Sequence, residues 1–339
     1  MQIGIELIEY YLPEKCLLNE DFIQLGIDPK FMFEKIGIEK RFIAAENESV
    51  GDMAVKAANK LFIKNNISPS SIGALILCTQ NPDYLLPTTA CIVQNQLGLP
   101  KTAMCFDINL GCSGFVYSAG IAVGLIKTFN FENVLIITSE AYSKVISYED
   151  KTTATLFSDG AAAILVQKNS TSSEFIDFNF GTDGSGFKNL IVPVSGSRTR
   201  RTRESSMVKE YSPGVKRSDE NLFMDGQEIT KFVFKEIPKS INEILHKTNL
   251  SLELIDKYFF HQANKYMLLS LTERMHLPPQ KVYIDLTKGN TVSSTIPIAL
   301  RDYYNESKVY DETIIISGFG VGYSWASAIL KIKNNFSGN

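Results

Sequence analysis

Three short, continuously apolar runs recur along this chain, each ending in small or polar residues: Ile72 to Cys78 (IGALILC), Val134 to Thr138 (VLIIT) and Glu312 to Ser317 (ETIIIS). Runs this short, with no polar alternation, suit strands covered on both faces. Between them lie stretches of helical period. Ser49 to Asn66 sets Met53, Ala57, Leu61 and Phe62 on one face, whereas Ser113 to Lys127 is apolar nearly all round. A helix of the second kind has no solvent face and belongs in the middle of a protein. The alternation predicts a layered α/β architecture.

With 339 residues, 44% of them apolar, the chain can bury a large core and is expected to form two domains or one duplicated architecture. Its net charge of −3 supplies no positive field for nucleic acid or an anionic membrane. The five cysteines (Cys16, Cys78, Cys91, Cys105, Cys112) are odd in number and have no metal-like spacing. They read as reduced thiols, with no structural metal. No signal-like start and no apolar stretch of bilayer length, roughly 18 residues, is evident, so a cytoplasmic protein is expected.

The order of features repeats. The strand ending at Cys78 is followed by FDINLGCS, a buried helix and VLIITSE; KYFFHQAN is followed by YIDLTKGNT, the helix-like IPIALRDYY and TIIISGFG. This predicts a pseudo-two-fold repeat, with halves at 1–170 and 171–339 and equivalent loops meeting at one centre. Those loops hold Cys112, His261 and Asn290. Between the halves, Ser195 to Arg217 is rich in serine and arginine and reads as an exposed excursion.

Each of the three residues has an ordinary explanation: a cysteine as a small buried hydrophobe, a histidine as a structural hydrogen-bonding group, a Gly-Asn pair as a turn. Their contexts suggest chemistry. Cys112 opens a buried helix, whose N-terminal partial charge favours a thiolate, and Gly111 and Gly114 beside it are expected to admit substrate. His261 stands where a buried strand turns polar, and Gly318 to Ser324 (GFGVGYS) offers backbone N–H groups for an oxyanion.

The ordered set GCSGF, HQAN, GNT and GFGVGYSW strongly resembles the ketoacyl-acyl-carrier-protein synthase III family of thiolase-fold enzymes. KIGIEKRFIAAENES and LFSDGAAAILV extend the likeness to roughly residues 1 to 333. The resemblance implies a duplicated, layered α-β-α-β-α thiolase-like fold and an acyltransferase of fatty acid biosynthesis. It would condense an acyl thioester with a malonyl thioester, with loss of carbon dioxide. Cys112 would be the acylated nucleophile, His261 and Asn290 would bind the malonyl thioester carbonyl, and the backbone N–H groups of Cys112 and Val321 would form the oxyanion hole. Phe31, Lys35, Leu86, Lys151, Gly226, Ala263 and Asn264 fall at positions implied to bind substrate. Coenzyme A or phosphopantetheine thioesters would be substrates, with no tightly bound cofactor; an acyl carrier protein and a homodimer partner are also implied.

Some positions depart from the family pattern. Val321 replaces a glycine of the oxyanion loop, Phe31 and Lys151 stand where a tryptophan and an arginine usually grip the adenine, Tyr266 replaces a carrier-docking arginine, and Leu86 replaces an aromatic gate. Lysine lacks arginine's planar stacking surface. Arg198, Arg200, Arg201 and Arg203 form a solvated loop or attract phosphate or an acidic carrier. Two other functions stay open: acyl transfer from Cys112 to an alcohol or amine in a natural-product or glycan pathway, and a non-catalytic partner of a synthase complex.

Overall fold

A computed structural model describes residues 1–308, 310–334 and 336; the last residues of the expected second half, 335 and 337–339, lie outside the described residues. The first sheet contains β1 (Ile3–Tyr11), β2 (Ile72–Cys78), β3 (Met104–Ile108), β4 (Asn133–Glu140) and β5 (Gly160–Lys168) in the order β1-β5-β4-β2-β3. The second contains β6 (Ser173–Thr182), β7 (Lys257–Phe260), β8 (Glu312–Gly320) and β9 (Ser324–Ile332) in the order β7-β8-β9-β6.

The two sheets repeat one pairing scheme. β2 runs parallel to β4, β4 antiparallel to β5 and β5 antiparallel to β1; in the same sense β7 pairs with β8, β8 with β9 and β9 with β6. The edge strand β3, parallel to β2, has as its counterpart only a single parallel bridge from Tyr258 to Val282.

The described residues form eight α-helices: α1 (Pro29–Ile36), α2 (Val50–Asn65), α3 (Thr89–Gln96), α4 (Gly114–Phe129), the one-turn α5 (Lys151–Ala154), α6 (Gly226–Thr248), α7 (Lys265–Arg274) and α8 (Thr295–Ser307). Strand side chains alternate between layers. Val134 and Ile136 of β4 pack with Phe115, Val116 and Ala119 of α4, with Ile296, Ala299 and Leu300 of α8, and with Ile314 and Ile316 of β8. Leu135 and Ile137 face the other way, onto Met53, Ala57 and Leu61 of α2. α6 and α7 cover the outer face of the second sheet. The result is α-β-α-β-α, with α4 and α8 between the sheets. α4 is buried over its first turns except at Tyr117 and Gly120 and emerges later, where Ile121 and Phe129 are exposed, so its apolar character marks the central layer only in its N-terminal part.

One expectation holds with an addition and one needs correction. The excursion 195–217 is exposed through residue 213 except at Ser205, and within it Lys209–Ser212 and Val215–Arg217 form an antiparallel hairpin with Val215 buried. In addition, GFGVGYS is not all loop: Gly318 and Gly320 lie within β8, and the turn is confined to residues 321–323. Composition marks polarity, but backbone pairing can order a polar segment.

Candidate active site

The loop from β3 to α4 carries Cys112, and a hydrogen bond from Gly114 N to Gly111 O (2.7 Å) closes its turn. The glycines around it are required by close approach. A Cβ on Gly318 would lie 2.5 Å from Cys112 O, and one on Gly320 would lie 2.9 Å from Cys112 Sγ. The expectation that Gly111 and Gly114 admit substrate is not met, because a Cβ there would strike Gln80 Oε1 at 2.4 Å and Cys78 Sγ at 2.2 Å. Protein atoms occupy that space.

His261 follows β7, and its N–H donates to Ser317 O of β8 at 2.9 Å. Its imidazole Nδ1 lies 2.8 Å from Thr295 Oγ1, at the start of α8. Asn290 precedes α8 and is bound through its backbone to the LFSDG segment: Asn290 N donates to Leu156 O (3.1 Å), and Ser158 N donates to Asn290 O (2.9 Å). Gly289 makes this passage with φ +69°, and a Cβ there would meet Ser158 Cβ at 2.8 Å.

Val292 anchors both polar side chains. Its N–H donates to Asn290 Oδ1 at 2.9 Å, and its carbonyl accepts from Thr295 Oγ1 at 3.1 Å. Because a backbone N–H can only donate, Oδ1 is the bound end of the amide, leaving Nδ2 as the end that can donate to a ligand. Val292 does this at φ +55°, a left-handed conformation that a β-branched residue rarely adopts. Thr295 and Val292 were not anticipated. Nothing in the run TVSST distinguishes one hydroxyl or one valine from its neighbours.

Burial sets the electrostatics. It pushes the Cys112 thiol up to about 12, with the nearby Glu140 acting in the same direction and the backbone at Cys112 and Val321 acting weakly against it. Burial also holds His261 down to about 3, opposed only by a hydrogen bond at the Val292 backbone. The expected preference for a thiolate at the start of α4 is therefore outweighed by desolvation. At neutral pH the free site contains a thiol and a neutral imidazole.

Cys112, His261 and Asn290 line one narrow cavity of ≈ 90 Å³, together with Tyr142, Phe157, Leu190, Met224, Met267 and Phe319. Gly226, Ala263 and Asn264 also line it. Phe31, Lys35, Leu86 and Lys151 do not; Phe31 and Leu86 are 59% and 83% exposed. Among the described residues, no group of three or more His, Cys, Asp or Glu is arranged to hold a metal ion, and no helix is long and apolar enough to cross a membrane.

Two β-sheets of matching order, enclosing paired central helices whose N-terminal ends meet over a cysteine, a histidine and an asparagine, define the thiolase-fold class of condensing enzymes. Comparison with known proteins narrows this. The family described as 3-oxoacyl-[acyl-carrier-protein (ACP)] synthase III matches residues 106–184, and its C-terminal part matches residues 245–332. The beta-ketoacyl-[acyl-carrier-protein] synthase III of Caldanaerobacter subterraneus is 36% identical over 95% of each chain; that of Fusobacterium nucleatum is 32% identical over 97% of this chain and 98% of its own. A crystal structure of a 3-oxoacyl-(acyl-carrier-protein) synthase III superposes with TM-score 0.95 at 38% identity, covering 98% of this chain and 100% of that one. A Burkholderia xenovorans 3-oxoacyl-(acyl-carrier protein) synthase gives 0.88 at 32% identity, covering 99% and 95%. The chain belongs to the 3-oxoacyl-[acyl-carrier-protein] synthase III family and is a condensing acyltransferase.

Proposed function

We propose that the protein joins an acyl thioester to a malonyl thioester through an acyl-Cys112 intermediate. The observation that carries this reading is the convergence of Cys112, His261 and Asn290 on one enclosed cavity. Cys112 Sγ attacks the acyl carbonyl, the C–S bond of the incoming thioester breaks, and the Cys112 proton leaves with the departing thiol. The malonyl thioester then binds with its carbonyl oxygen toward Asn290 Nδ2 and the imidazole. Decarboxylation builds negative charge on that oxygen, and donors aimed there stabilise the transition state more than the bound substrate. His261 serves as a neutral donor, which requires the tautomer with its proton on Nε2. In that tautomer Nδ1 accepts from Thr295 Oγ1, whose one proton then turns from the Val292 carbonyl to the imidazole. The carbanion attacks acyl-Cys112, the oxyanion is held by the N–H groups of Cys112 and Val321, and its collapse breaks the C–S bond to expel the Cys112 thiolate, which takes a proton from solvent as product departs.

The acyl group and the malonyl group arrive on coenzyme A or an acyl carrier protein, with no tightly bound cofactor; the names of the relatives support the carrier. Phe31, Lys35 and Lys151 contact the carrier arm outside the cavity, and the halves divide at 170/171. The protein works in the cytoplasm as a homodimer. Support for a dimer comes from the edge position of β3 and from Tyr84, Leu85 and Leu86, which expose large apolar side chains together. Intact-mass measurement after incubation with acyl-coenzyme A tests the central step: an acyl adduct on Cys112, absent in Cys112→Ala, is expected. Acyl turnover without carbon dioxide release would replace condensation with transfer to an alcohol or amine.

A further inference from the structure

Glu140, the last residue of β4, is fully buried beside this site, and none of the ion pairs among the described residues includes it. Its Oε2 accepts from Gln80 N at 3.1 Å and its Oε1 is 3.0 Å from Ser293 Oγ. Gln80 follows β2 and turns its side chain toward the nucleophile: its Oε1 accepts from the cavity-lining Tyr142 hydroxyl at 2.6 Å and packs on Gly111. Ser293 follows Val292, the residue that orients Asn290. One carboxyl thus ties the Cys112 loop of the first half to the Asn290 segment of the second.

We propose that Glu140 is a positioning residue of the condensation, holding the Asn290 segment against the Cys112 loop as a neutral carboxyl. The inference rests on the roles given above to Cys112 and Asn290. A carboxylate here would have only a backbone N–H and a hydroxyl to stabilise it. It would also oppose the negative charge that builds on the thioester oxygen during decarboxylation. The titratable groups around it, Cys78, Cys112, Tyr142 and Asp159, are all acids and supply no compensating cation. Burial accordingly raises Glu140 to about 8. The Ser293 hydroxyl donates to an ionised Glu140; the protonated carboxyl keeps the bond it accepts from Gln80 N and reverses the other, donating to Ser293 Oγ. An unfolded glutamate ionises near 4.5, so between that value and about 8 the folded protein keeps a proton that the unfolded chain has lost. Stability should fall as pH rises through this window.

Glu140→Gln tests the idea, because its amide reproduces the one-acceptor, one-donor pattern and cannot ionise. Malonyl-carrier decarboxylation is measured from pH 6 to 10, which needs no Cys112 thiolate. The parent rate is expected to fall about tenfold per pH unit above about pH 8, and the Glu140→Gln profile to stay flat for about one unit further. Because the Glu140 charge raises the Cys112 thiol, alkylation of Cys112 by iodoacetamide at pH 9 to 10 should be faster in Glu140→Gln. Ser293→Ala cuts the other end of the link and should lower decarboxylation about tenfold while leaving Cys112 acylation nearly intact. A Glu140→Gln profile that coincides with the parent in both assays overturns the proposal. A parent enzyme that never acylates Cys112 overturns the site assignment instead.

Discussion

The floor of the cavity and its approach are built on different principles. On the floor, Cys112, His261 and Asn290 are buried and held by distant segments: the Asn290 backbone between Leu156 and Ser158, His261 between the Ser317 carbonyl and the Thr295 hydroxyl, and Cys112 against Gly318 and Gly320. The positions proposed for the approach are different: Phe31 and Leu86 are exposed, and the Lys35 ammonium lies 5.9 Å from the Phe31 ring. The floor's geometry depends on many groups, so single changes there should be costly. Such an approach would offer additive contacts, which tolerate replacement; Phe31, Lys151 and Leu86 depart from the family pattern there, whereas Val321 departs from it beside Cys112.

The sharpest break should come from Cys112→Ala, which removes the covalent step; condensation is expected to fall by about 10³ or more in steady-state assays. Residual condensation at the parental rate would remove Cys112 from the floor. Asn290→Ala should lower malonyl-carrier decarboxylation by about 10²–10³ while leaving Cys112 acylation nearly unchanged. Gly320→Ala places a methyl on Cys112 Sγ; its unfolding free energy should drop by about 1–3 kcal/mol, and acylation should slow as well.

The pH dependence of Cys112 alkylation sharpens the electrostatic side of the comparison. With the thiol raised to about 12 and His261 lowered to about 3, no thiolate–imidazolium pair forms. Alkylation should therefore still be climbing at pH 10, and a plateau by pH 8 would mean that the nucleophile is activated in the free enzyme. The smallest effects belong to the approach. Lys151→Ala or Phe31→Ala should raise KM for an acyl-coenzyme A by about twofold to fivefold with kcat unchanged, the signature of uniform binding. An equally large loss of kcat would place these residues on the floor.

The chain order of GCSGF, HQAN, GNT and GFGVGYSW was enough to name the three polar residues, and the short apolar runs located β2, β4 and β8 to within a few residues. The hairpin inside 195–217 was missed because its strands, KEYS and VKR, are short and polar. Thr295, Val292 and Glu140 were missed for another reason. Thr295 and Glu140 meet partners far away in the chain, Thr295 with His261 and Glu140 with Gln80 and Ser293, and Val292 is set apart only by its left-handed backbone.

Hydrophobic period and residue order are local properties of the polypeptide, so the layered alternation, the enclosed start of α4 and the identities of the three polar groups that converge follow from sequence. Protonation state and side-chain orientation are set by what surrounds a group in space. Folding raises the Cys112 thiol and lowers His261, because their desolvation exists only once the surrounding elements pack, and the left-handed backbone of Val292 decides which end of Asn290 is free.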